Sequence, residues 1–168
     1  MDLNNLAKYR DKVEFIEDVK KRSFNMEMNS HGCSQVVVQT FLDVLEQDNL
    51  ELFMAASPFA AGMSLTGNNC GALIGGLMIL GTVYGRKSVT DGMDGILAGI
   101  RPMRKLVKYF KEVHATIDCR DITQTDLADP EKSQEYFDGG GLKKCAGIIS
   151  DVSGFVADMI YDEYEKTK

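Results

Sequence analysis

The chain has 168 residues, of which 44% are hydrophobic and 26% charged, and its net charge is −6. That length and composition predict one soluble domain with a sizeable core, and the acidic balance excludes nucleic acid as the main partner, because phosphate binding needs a basic surface. Four cysteines are too few for a secreted disulfide scaffold, and the polar start Met1-Asp2-Leu3-Asn4-Asn5 has no signal-peptide core, so a cytoplasmic protein with reduced thiols is expected.

Leu6, Tyr9, Val13 and Ile16 recur at steps of three and four with charges between them. This spacing predicts an amphipathic first helix over about 5–25. Ser30 or Gly32 starts a second helix, with Cys33, Val36, Val37, Thr40, Phe41, Val44 and Leu45 on its apolar face. Asp48 caps a short third helix that Pro58 ends. Asn68 or Asn69 caps the next, which faces inward with Cys70, Leu73, Ile74, Leu77, Leu80 and Tyr84. The apolar run from Gly71 to Tyr84 is 14 residues long. A membrane span needs roughly 20, so this is read as a buried core helix with no membrane insertion.

Ile96, Ile100, Met103, Val107 and Phe110 mark another helical segment, which Pro102 kinks or divides. Asp118 caps a short turn at Cys119, and Gly139-Gly140-Gly141 is a break. A final helix over about 142–166 carries Ile148, Ile149, Val152, Val156, Met159 and Ile160 on one face. Alternating strand patterns are scarce. The expected fold is an all-α, single-domain bundle of about five to seven helices over 1–168, with a cysteine-bearing core over about 31–150.

The residues with redox or metal chemistry are Cys33, Cys70, Cys119 and Cys145, separated by 36, 48 and 25 residues. No pair has the close CxxC spacing of a zinc knuckle or a thioredoxin-type site, so only the fold can bring them together. Cys33, Cys70 and Cys119 sit near predicted helix starts, where unpaired N–H groups and partial positive charge stabilise a thiolate. Arg120 would push Cys119 the same way and Asp118 would oppose it. Cys145 lies a turn inside its helix, where desolvation should raise its pKa. The competing account makes each cysteine a small core residue.

Gly71 and Gly75 lie one turn apart, and each costs a helix roughly 1 kcal/mol relative to alanine. Something is therefore expected to approach the backbone there, either a neighbouring helix or a bound group. His31, two residues before Cys33, is a candidate further ligand or proton donor, and His114, five before Cys119, a weaker one.

The ordered set Gly32-Cys33-Ser34-Gln35, Cys70-Gly71-Ala72-Leu73-Ile74-Gly75-Gly76, Cys119-Arg120-Asp121 and Cys145 resembles the redox-active C-GCAxxG-C-C family from about Gly32 to about Ile149. Members usually carry a glycine-rich stretch before the CGAxxG segment. Here it reads Ala55-Ala56-Ser57-Pro58-Phe59-Ala60-Ala61-Gly62-Met63, with few glycines. The resemblance implies redox chemistry or metal binding at the four cysteines.

Two chemistries satisfy a converging set. Four thiolates can hold an iron–sulfur cluster, with Gly71 and Gly75 as cofactor-binding positions. Alternatively, two cysteine pairs can cycle between dithiol and disulfide. Either use suits an oxidoreductase or electron carrier working with a redox partner. Structural zinc ranks third, because its ligands usually come in close pairs. In the non-enzymatic alternative the chain is a helical ligand- or partner-binding bundle with inert cysteines and no cofactor. The sequence leaves a homo-oligomer open.

Overall fold

A computed structural model describes residues 1–168. In chain order the helices are α1 (Lys12–Ser30), α2 (Cys33–Val44), α3 (Leu50–Ala56), α4 (Ala60–Met63), α5 (Gly71–Tyr84), α6 (Gly92–His114), α7 (Cys119–Thr123), α8 (Pro130–Tyr136) and α9 (Leu142–Lys166). Seven of the nine run seven residues or longer; α4 and α7 are single turns. The only β contact is one antiparallel bridge, Asn69–Asp118. The chain is thus the all-α bundle that the periodicity predicts, with 28 buried residues in one hydrophobic cluster. No helix is long and apolar enough to cross a membrane.

The start of α1 differs from expectation. Asp11 is its N-cap and accepts from the Glu14 amide at 2.9 Å, while the Arg10 amide donates to Glu14 Oε2 at 2.7 Å. These contacts satisfy backbone donors at the helix entry. They detach residues 4–8 as a separate 3₁₀ turn and reset the helical phase. Val13, expected on the apolar face, is therefore 61% exposed. The buried stripe is instead Phe15, Val19, Ser23 and Glu27, four residues apart each time.

That stripe packs antiparallel on α9, the most extensive helix pair. Lys12 Nζ meets Asp158 at 2.5 Å and Asp162 at 2.6 Å, and one end of the pair is tied by Ser150 Oγ donating to the Lys20 carbonyl at 3.1 Å. α5 occupies the centre against α2, α6 and α9. Two glycines allow this. A Cβ on Gly75 would stand 2.7 Å from the Ser34 carbonyl of α2, and one on Gly76 would stand 2.8 Å from Val152 and 2.9 Å from Leu106. α6 runs unbroken through Pro102.

Candidate functional site

Each cysteine reaches the site from a different element. His31 closes α1 and Gly32 opens α2, both with positive φ (58° and 100°). This two-residue reversal sets Glu27, in the last turn of α1, and Cys33, the first residue of α2, on one hollow. Cys70 is itself the N-cap of α5, in place of the expected asparagine. The amides of Ala72 and Leu73 face its sulfur and favour its thiolate, without closing a regular capping hydrogen bond. Cys119 opens α7 behind Asp118, and Cys145 stands in the first turns of α9.

The single β bridge sets two of these positions. Cys70 N donates to the Ile117 carbonyl and Cys119 N to the Asn68 carbonyl, both at 2.7 Å, and Arg120 N donates to Gly67 at 2.9 Å. Cys70 and Cys119 are therefore diagonal neighbours across the bridge, on the same side of it. The connection before it is left-handed: Ala61, Gly62, Met63, Ser64 and Leu65 have φ of 52°, 72°, 64°, 57° and 68°. Such a run costs non-glycine residues roughly 1–2 kcal/mol each. Thr66 holds it by donating to the Gly62 carbonyl at 2.7 Å. The run brings the Ala61 amide to the sulfur of Cys33 and leaves the hydrogen of Gly62 against Cys119, where a Cβ would lie 2.7 Å from the Cys119 Cβ.

All four cysteines line one cavity of about 120 Å³. Its walls are mostly apolar, with Ala60, Ala72, Ile122, Leu127, Ile148 and Ile149 among them. The exposed rim is the stacked pair His31 and Phe137, 6.4 Å between ring centres. Every thiol is free. All six thiol pairs are near enough for a charge on one to oppose charge on the other. No three donors, however, converge on a single point as one metal ion requires.

Gly71 and Gly75 are not among the lining residues. The missing side chain of Gly71 makes room for the Cys33 sulfur and for the Phe59 carbonyl, 2.6 Å from where a Cβ would be. Gly75 faces the α2 backbone instead. Of the two histidines, His31 lines the cavity, with Nδ1 3.0 Å from the Glu27 carbonyl oxygen. His114 packs on Phe110 away from it.

Burial dominates the electrostatics. Desolvation pushes Cys33, Cys70 and Cys119 up to about 12, with neighbouring thiols adding to the rise. Cys145 also rises through burial, opposed by the Tyr136 hydroxyl 3.5 Å from its sulfur. The expectation that helix starts would lower these pKa values is thus overturned for the metal-free protein. Backbone N–H groups do act on Cys33 and Cys70, but they do not outweigh desolvation. Arg120 gives no help to Cys119, because its guanidinium pairs with Asp126 at 2.8 Å.

The one carboxylate lining the cavity escaped the sequence reading. Glu27 is 4% exposed, its Oε2 has no hydrogen-bond partner, and burial raises its pKa to about 7. The available signal was its place at the end of the Phe15, Val19, Ser23 stripe, hidden while the helix was phased on Leu6 and Val13.

Residues 31–159 match the family model described as "Putative redox-active protein (C_GCAxxG_C_C)". The chain belongs to this family. The match spans all four cysteines of the cavity in this C_GCAxxG_C_C protein, whereas Glu27 lies ahead of it. No curated protein and no solved structure matched the chain.

Proposed function

We propose that Cys33, Cys70, Cys119 and Cys145 hold an iron–sulfur cluster and that the protein serves as an electron carrier. The supporting observation is the cavity: four thiols from four elements surround an apolar hollow of about 120 Å³ without converging on one point. A single tetrahedral zinc does not fit this donor arrangement, whereas a polynuclear group needs thiolates spread around it.

When bound, such a cluster takes up and releases single electrons at a potential set by burial and by hydrogen bonds to its sulfurs. The protein's part is to prepare those surroundings. The Ala61, Ala72 and Leu73 amides favour charge on Cys33 and Cys70, the Tyr136 hydroxyl does so at Cys145, and the walls are mostly aliphatic. The thiols must lose their protons on loading, so loading is expected to release protons.

Anaerobic purification followed by iron, sulfide, zinc and thiol counts tests the proposal. Brown protein with iron and sulfide, and thiols shielded from alkylation, is the expected result. Colourless protein with four alkylatable thiols and no iron after reconstitution would sink it.

One observation favours dithiol–disulfide cycling as a second reading. Cys70 and Cys119 are diagonal across the bridge. Diagonal pairs have Cα atoms about 7–8 Å apart, so a small approach of the two segments would bring Cys70 and Cys119 within the roughly 6.8 Å that disulfide Cα atoms span. A Cys70–Cys119 cross-linked peptide as the main product of mild oxidation would decide for that reading.

A further inference from the structure

The least explained group in the molecule is the Glu27 side chain. It is 4% exposed, it lines the cavity of the four cysteines, and its Oε2 finds no donor. A buried carboxyl oxygen without a partner carries an uncompensated desolvation penalty, and such a group in a folded protein calls for a ligand, a water or an ion.

No protein group supplies what is missing. His31 directs Nδ1 to the Glu27 backbone carbonyl, not to the carboxyl. From α9, Lys144 gives its ammonium to the Ile122 carbonyl at 2.6 Å, and Cys145 offers only a thiol that burial keeps protonated. Thr123, the one hydroxyl-bearing wall residue, donates instead to the Cys119 carbonyl at 2.9 Å, and the remaining walls are apolar or thiol. An apolar residue would continue the Phe15–Val19 stripe at lower cost, so a carboxyl there is best accounted for by something cationic in the cavity.

We infer that Glu27 supplies an oxygen donor to the group held by the four thiols, making the donor set four sulfurs and one carboxylate. This rests on the cluster reading above and adds to it a hard ligand that its cysteines alone would not provide. Carboxylate oxygen prefers a harder, less thiolate-rich metal centre than sulfur does, so one iron of the set would differ from the rest.

The test uses the full chain reconstituted anaerobically with ⁵⁷Fe and sulfide, as wild type, Glu27→Gln and Glu27→Leu. Mössbauer spectra of the wild type should resolve a minority iron with the higher isomer shift of oxygen ligation, absent from both variants at unchanged iron and sulfide content. Loss of iron to a chelator should be roughly tenfold faster or more in the variants, the scale found for changes around metal ligands. In the metal-free state Glu27→Leu should instead melt at higher temperature than wild type, because an apolar side chain replaces an unpaired buried carboxyl, whereas Glu27→Gln keeps a buried polar group there. A purely structural glutamate would give the opposite sign in that melt.

If the wild type loads and all three spectra coincide, Glu27 is not a ligand and the cluster proposal stands without it. If the wild type takes up no iron and sulfide, both proposals fall. If the variants load nothing yet melt as folded proteins, Glu27 is required for loading, and the melting shift of the metal-free forms decides between ligand and scaffold.

Discussion

At the scale of single residues, Gly71 is the position where a hydrogen atom matters most. The Cys33 sulfur and the Phe59 carbonyl occupy the space of its absent side chain. Gly71→Ala should displace that sulfur and lower iron and sulfide loading, with an overpacking cost of about 1–3 kcal/mol. Gly81, in the same helix, has nothing within 4 Å of its would-be Cβ. Gly81→Ala should therefore raise stability by up to about 1 kcal/mol, the helix-propensity gain, and leave loading alone. Urea midpoints and iron counts on the two variants separate steric from intrinsic effects, and equal behaviour would contradict the close approach at Gly71.

The thiols themselves carry a pH signature. Burial raises Cys33, Cys70 and Cys119 to about 12 in the folded, metal-free chain, against about 8.5 for free cysteine. The folded state thus keeps protons that the unfolded state has lost. The associated stability is complete below about 8.5 and is lost as pH rises through the folded values. Alkylation rates of the metal-free protein should show no midpoint below the free-cysteine value. A fast phase at neutral pH, assigned by Cys→Ser variants, would mean that the helix ends outweigh desolvation.

Among the elements, the left-handed connection over 61–65 and the Asn69–Asp118 bridge decide where Cys33, Cys70 and Cys119 stand. Gly62 is central to both: its φ is +72°, and a Cβ there would lie 2.7 Å from Cys119 Cβ and 2.7 Å from the Gly67 carbonyl carbon. Gly62→Ala combines a left-handed alanine with two backbone-level clashes. Its cost should reach a few kcal/mol and should fall on loading more heavily than on the α1–α9 pair. Hydrogen exchange measures this directly, through lost protection at Cys70 and Cys119 with protection in α9 retained.

For the molecule as a whole, the cavity adjoins the core: Cys70, Ala72, Ile122, Ile148 and Ile149 belong to both, while the rest of the 28-residue cluster does not line it. The 28-residue cluster includes Cys70 but not Cys33, Cys119 or Cys145. The metal-free chain should consequently stay folded, with the far-UV circular dichroism of a helical bundle, unlike small zinc domains that unfold without metal. Iron and sulfide loading should raise the melting temperature without adding helix, since a group that binds only the native state stabilises it by mass action. Collapse of the helical signal on iron removal would show that the cluster, and not the aliphatic core, organises the bundle.

Most of the long helices were legible in the residue pattern, because periodicity, caps and breaks act over a few residues, but the start of α1 and the whole of α8 were not. The final helix was readable at about 142–166, and α2 and α7 open at the cysteines that spacing marked. The family order of four cysteines was legible too, as was the presence of a close neighbour at Gly71 and Gly75. What those neighbours are follows from the packing of the whole chain, which sets the Cys33 sulfur at one and the α2 backbone at the other. It alone showed Glu27 beside Cys145, more than a hundred residues apart in the chain, lining one cavity. It also reversed the expected thiol pKa shifts. The physical reason is range: hydrogen bonding along a helix is local, whereas desolvation and cavity shape depend on every segment that closes around a group.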